Sequence, residues 1–264
     1  MNSVVDIDWL VLALFFSLLL FPLLLSRLYR LQLERDILSS VTRMTLQLIL
    51  VGIYLEYLFS INSLTVNIIW LAVMILIGSS AIISKAKLPK SKLMLPITLG
   101  LLVGLMPILA IIIFVVIQPS PLFNAQYLIP LAGMLLGNSL SGNIVSLQTF
   151  FGCLHDRRSE YEAALSLGAS ADYATQPFVR DAVRRSLAPT IATMATTGLV
   201  TLPGMMTGQI LGGASPMIAI KYQLMIMVAI FVMMTVSIVT ALKMTIRNCI
   251  NKQGRVLVNY QRPE

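Results

Sequence analysis

Glu162-Ala163-Ala164-Leu165-Ser166-Leu167-Gly168 lies in the only long polar loop, 154–185, of a chain that is otherwise apolar almost from end to end. Ser159 followed by Glu162 has the spacing of a capping box, which starts a helix by satisfying free backbone N–H groups. Tyr161, Ala164, Leu165 and Gly168 then recur at i, i+3, i+4 and i+7, which predicts one face of aromatic and small residues. Gly168 suits the left-handed position that ends a helix, and Ser170 can cap the next one, running on towards Arg185. The loop therefore reads as a helical elbow lying along a membrane surface, either a plain amphipathic connector or a short helix that docks into a groove of a partner.

The sequence around this loop belongs in a bilayer. Hydrophobic residues make up 57% of the 264 and charged residues 11%, with a mean hydropathy of +0.86, too apolar for a soluble surface. Seven stretches reach the roughly 20 apolar residues a crossing needs: 8–26, 40–59, 65–84, 93–117, 128–153, 186–204 and 222–242. The first is too long for a signal-peptide core and follows Asp6 and Asp8 rather than basic residues, so it reads as a retained span. With the N-terminus outside, seven spans place every Lys and Arg except Arg43 and Lys221 on the cytoplasmic side, including Lys252 and Arg262. The fold class expected is all-α: one polytopic domain over 1–264, with about seven transmembrane helices, N-out and C-in.

Between 203 and 221, Pro203-Gly204 and Gly212-Gly213-Ala214-Ser215-Pro216 interrupt an apolar stretch too short to cross again. It reads as a re-entrant half-span or an external loop, since irregular backbone at membrane depth needs cover from protein or water. The polar tail after Arg247 is expected to fray. Cys153 and Cys249 both fall at cytoplasmic span ends, where a structural disulfide is not expected.

Several chemistries are disfavoured. No Gly-Lys dipeptide occurs, so no phosphate-binding loop of that type exists. A single histidine, His155, excludes a two-histidine metal or haem site. Ser139 and Ser141 sit near mid-span, away from His155, which leaves no activated serine. The net charge of +8 follows from cytoplasmic span ends and does not call for nucleic acid. No catalytic residue and no cofactor is assigned.

The Glu162-Ala163-Ala164…Gly168 pattern resembles the loop by which ABC-transporter permeases meet their ATPases. The importer form continues to a Leu-Pro pair, where this chain has Arg180-Asp181 and its nearest such proline is Pro189. Taken with Ile129-Pro130-Leu131-Ala132-Gly133-Met134, Gly137-Asn138, Leu165-Ser166-Leu167-Gly168-Ala169, Arg180-Asp181-Ala182-Val183-Arg184, Thr201-Leu202-Pro203-Gly204-Met205-Met206-Thr207-Gly208 and Ala219-Ile220-Lys221-Tyr222-Gln223, the chain resembles the FetB (YbbM) family of permeases. The resemblance runs over about 35–245. It implies a multi-pass inner- or plasma-membrane permease that exports iron or another metal. The unit implied is a homodimer in the bilayer with two separate cytoplasmic ATPases, which would engage Tyr161, Glu162, Ala163, Ala164, Leu165 and Gly168.

Polar groups within spans are the pathway candidates, because each costs free energy unless paired or wet. These are Arg43, Gln47 and Glu56 in the second span, Asn138 and Gln148 with Ser141 in the fifth, and Met205, Met206 and Gln209 beside the broken segment. Hydrogen bonds within the bundle are the alternative use for each polar group, and gap-filling for the methionines. Small residues at Gly100 and Gly104, at Gly133, Gly137 and Ser141, and at Gly204, Gly208 and Gly212 allow close helix approach, within one subunit or between two. A secondary transporter driven through Arg43 and Glu56, and a non-transporting scaffold for an ATPase, are the rival readings.

Overall fold

The computed structural model describes residues 6–251 and 254–258; Lys252 and Arg262 lie outside them. The elements are α1 (Trp9–Phe15), α2 (Leu20–Leu28), α3 (Glu34–Ile61), α4 (Leu64–Lys85), α5 (Lys90–Ile111), α6 (Ala125–Asp156), α7 (Arg158–Ser166), α8 (Ala171–Thr196), α9 (Gly204–Leu211) and α10 (Pro216–Cys249). A 3₁₀ turn joins α1 to α2 as one apolar rod, and a π-helical segment, Ile112–Ile117, extends α5. The described residues are helical with no strand longer than an isolated bridge.

Among the described residues six helices are long and apolar enough to cross a bilayer: Trp9–Leu28, Glu34–Ile61, Leu64–Lys85, Lys90–Ile117, Ala125–Asp156 and Pro216–Cys249. The stretch expected as a crossing at 186–204 is built differently. Its helix starts at Ala171 and carries Asp172, Arg180, Asp181, Arg184 and Arg185 into the same rod, then stops at Thr196. Residues 197–203 are irregular, with Gly198 at φ +87° and Thr197 bridged to Thr201. The backbone break lies about two turns earlier than Pro203-Gly204 suggested: Thr197 N–H still closes a helical bond to the Thr193 carbonyl, and the Thr196 carbonyl then accepts from the turn N–H groups of Leu199 and Val200.

The core is a bundle of α4, α5, α6, α8 and α10, with α5 and α10 as its closest pair. Gly100 and Gly104 make that closeness available. A Cβ on Gly100 would stand 2.8 Å from both the Ala241 Cβ and the Ser237 carbonyl, and one on Gly104 would stand 2.9 Å from the Met233 carbonyl. The small-residue ridge of α5 thus lies on Met233, Ser237 and Ala241 of α10, at i, i+4 and i+8. Gly142 of α6 likewise leaves room for the Met234 side chain. Asn143 binds the layers with polar bonds: its Nδ2 donates to the Ser139 carbonyl at 2.9 Å and to Ser237 Oγ at 3.0 Å, fully buried. In an apolar bundle such a pair is satisfied only in register, so it fixes how α6 meets α10.

The N-terminal rod and α3 pack only lightly on this bundle, and nearly all their side chains are exposed. Tyr54, its ring tilted against Trp70 with centroids 4.2 Å apart, and the buried Leu58 hold the C-terminal end of α3.

Candidate functional site

The elbow is anchored on its inner face and bare on its outer face. Arg157, between α6 and α7, reaches Glu160 and lies 3.2 Å from Asp181 of α8, with its guanidinium 5.2 Å from the Phe178 ring centroid. The hydrogen bond from Arg157 holds the Glu160 carboxyl below its ordinary range. Glu162 does not close a capping box with Ser159. The helix begins one residue earlier, at Arg158, whose Nε donates to Glu162 Oε1 at 2.7 Å. An i, i+4 ion pair has displaced the cap.

Tyr161 is buried, with its ring edge-on to Phe178, and burial pushes its hydroxyl pKa up. Its Oη donates to the Gly254 carbonyl at 2.8 Å. The tail expected to fray is therefore folded where it is described. Asn251 N–H donates to the Arg255 carbonyl, Leu257 N–H to the Cys249 carbonyl at 2.7 Å, and Lys92 Nζ to the Leu257 carbonyl. Gly254, at φ +80°, leaves room for the Leu165 side chain, which a Cβ there would strike. The polar composition of this tail gave no sign that its backbone would pair.

The helix ends as the sequence predicts. Gly168 sits at φ +89°, Gly168 N–H donates to the Leu165 carbonyl and Ala169 N–H to the Ala164 carbonyl, the two bonds of a Schellman motif. Ser170 Oγ then caps α8 by accepting from Tyr173 N–H. Of the six residues assigned to partner contact, Tyr161, Ala164 and Leu165 turn inward, whereas Glu162, Ala163 and Gly168 point out beside Leu167, which is 90% exposed.

A second feature lies where α8 breaks. Met134, Asn138 and Ser141 of α6, Thr190 and Thr193 of α8, Thr197, Thr201 and Pro203 of the break, Met205 of α9, and Gln223 and Met227 of α10 line an open cleft of about 420 Å³. None of its lining side chains is ionisable. Asn138 donates to the Met134 carbonyl, Thr193 to Pro189, Thr197 to Thr193, Ser141 to Asn138, and Thr190 Oγ1 lies 3.8 Å from the Met234 sulfur. Gln223 is 7% exposed and its Oε1 is buried without a hydrogen-bond partner.

Of the pathway candidates, Asn138 and Met205 meet in this cleft. Met206 and Gln209 stand on the same short helix but outside the lining, and Gln209 Oε1 is also buried without a partner. Gln148 donates to the Lys85 carbonyl near the other end of α6. Arg43, Gln47 and Glu56 lie on exposed parts of α3 and are not among the residues that line the cleft. The threonines and Gln223 were missed, although Thr190, Thr193 and Thr197 stand at i, i+3 and i+7, a polar stripe visible in the sequence. Among the described residues no cluster of three His, Cys, Asp or Glu could hold a metal.

Comparison with known proteins places this architecture. An uncharacterised protein family, UPF0014, matches residues 9–250. The chain is 32% identical to UPF0014 membrane protein slr1647 of Synechocystis, over 97% of this chain and 99% of that one. It is 32% identical to the probable iron export permease protein FetB of Escherichia coli, over 94% of each. It is 33% identical to the protein ALUMINUM SENSITIVE 3 of Arabidopsis thaliana, over 84% of this chain and 80% of that one. No solved structure matches. With its multi-pass bundle of apolar helices and a match over almost its whole length, the chain belongs to the UPF0014 family of membrane proteins.

Proposed function

We propose that this permease is the membrane half of an ABC-type exporter in the cell membrane, moving iron or another metal outward as a homodimer bound to two separate ATPases. The observation that carries the reading is the two-sided elbow. A nine-residue helix is fastened to α8 by Arg157–Asp181 and to the chain's end by Tyr161–Gly254, while Leu167, Glu162 and Ala163 stand bare. An exposed leucine at a helix end is a natural anchor for a groove in a soluble partner. Force applied there reaches α8 and α10 through the inner contacts, which is what a coupling helix requires.

The basic residues put the elbow in the cytoplasm, with α8 continuing into the membrane as a seventh, broken crossing. Its break, the polar cleft and α9 then lie at membrane depth, where irregular backbone must line a cavity. Exposed Asn138, Ser141 and Thr193 in such a position need water or protein, so the open side of the cleft faces the second copy of the chain. The printed name of the Escherichia coli relative supports metal export as the transport reaction. A gradient-driven mechanism through Arg43 and Glu56 has less support, because neither reaches the cleft and the cleft offers no titratable carrier.

The test is assembly. The chain co-expressed with a candidate ABC ATPase from the same organism is expected to purify as a two-plus-two complex, and Leu167→Asp is expected to release the ATPase while the permease stays folded. A complex indifferent to Leu167→Asp would move the docking surface elsewhere.

A further inference from the structure

Most hydroxyl donors in the cleft are already spent. Ser141, Thr193 and Thr197 each have one hydroxyl hydrogen, and each gives it to a carbonyl of its own helix, while the Thr190 hydroxyl is turned to the Met234 sulfur. Asn138 gives one of its two N–H groups to Met134. What these residues have left to offer a ligand is chiefly oxygen lone pairs, beside the thioethers of Met134, Met205 and Met227. Gln223 adds an amide whose oxygen is buried and unmatched. Against the second Asn138 N–H, the Gln223 N–H groups and the Thr201 hydroxyl, the free oxygen lone pairs of the lining are the larger set, and they favour a ligand that brings donors.

Charge sets the second limit. A bare divalent or trivalent ion taken out of water needs carboxylates or other counter-charge, and none is in the lining. Hard ions also prefer charged oxygen donors, which neither amides nor thioethers replace. A ligand that has left its charge inside its own coordination shell meets no such penalty. The cleft volume of about 420 Å³ falls within the range for small-molecule sites.

We infer that the cleft between α6, the break after α8, and α10 is a binding site for a metal in charge-neutral chelated form. The chelate's outward N–H or O–H groups donate to Thr193, Thr197, Asn138 and Gln223, and the naked ion is not bound there. This inference rests on the metal-export reading and names the species that the metal travels in.

The test uses the full chain in lipid nanodiscs, equilibrium dialysis with radioactive iron, and two probes. One is the tris(acetohydroxamato)iron(III) complex, which is neutral and carries three N–H groups; the other is ferrous ion alone. The expected result is retention of the chelate and not of ferrous ion. Thr193→Val, which keeps the volume and removes the acceptor, and Gln223→Leu should each weaken retention by about tenfold. Each variant is required to elute as the wild type does, so that loss of binding is not loss of fold. Retention of ferrous ion that disappears in the variants would overturn the inference while leaving metal export standing. No retention of any probe, or retention of the chelate unaltered in both variants, would remove the site.

Discussion

Tyr161 Oη and the Gly254 carbonyl oxygen stand 2.8 Å apart across 93 residues of chain. The bond joins the middle of the elbow helix to the hairpin that follows α10, the helix that forms one wall of the cleft. Under the proposed coupling, movement of α7 has two mechanical routes into the bundle, through Asp181 into α8 and through the hairpin into α10.

Tyr161→Phe keeps the ring against Phe178 and leaves the Gly254 carbonyl without its partner, a loss of about 1–2 kcal/mol. Hydrogen exchange at residues 254–258 should quicken while α8 is unchanged. Gly254→Val should act more strongly, since it adds strain at φ +80° to a collision with Leu165. Equal protection of the hairpin in wild type and Tyr161→Phe would show that this bond does not hold it.

Gly104→Val places a branched side chain against the Met233 carbonyl and the Ser237 Cβ, both within 3.0 Å of where its Cβ must go. Backbone cannot yield as a flexible side chain can, so overpacking should cost about 1–3 kcal/mol and lower the melting temperature. Gly137→Ala, with nothing within 4 Å, serves as the control and should leave stability alone unless the second copy packs there.

Acid should loosen the elbow late. Arg157 holds the Glu160 carboxyl below its ordinary value of 4.5, so its contribution is fully present above that value and fades as pH falls through the lowered one. Protection at the start of α7, taken relative to the intrinsic exchange rate at each pH, should be flat between neutral pH and about pH 5. Loss of protection already at about pH 6 would point to a different group.

Much of this was legible in the sequence, and the parts that were not share a cause. Six of the seven stretches picked out by apolar length lie on long apolar helices, and Gly168 and Ser170 gave the elbow's end and the next cap, because those signals are local. The inward turn of Tyr161 and Leu165 depends on a hairpin whose register comes from backbone pairing, which the tail's composition does not encode. Arg43 and Glu56 drew attention because charge in a span is costly, yet cost alone does not say which residues converge. Convergence at the cleft needed the break in α8 to be placed after Thr196, and the Thr190, Thr193 and Thr197 stripe gains meaning only against Asn138 and Gln223.

The central claim, that α7 transmits ATP-driven change to the membrane bundle, is tested most directly by Gly168→Val. Valine at φ +89° spoils the helix end at a cost of about 1–2 kcal/mol without touching the cleft or the exposed Leu167. ATP hydrolysis by the reconstituted permease–ATPase complex should rise when the iron substrate is added to wild type. In Gly168→Val the complex should still form and hydrolyse ATP, with that rise abolished. A variant complex stimulated as strongly as wild type would contradict the account.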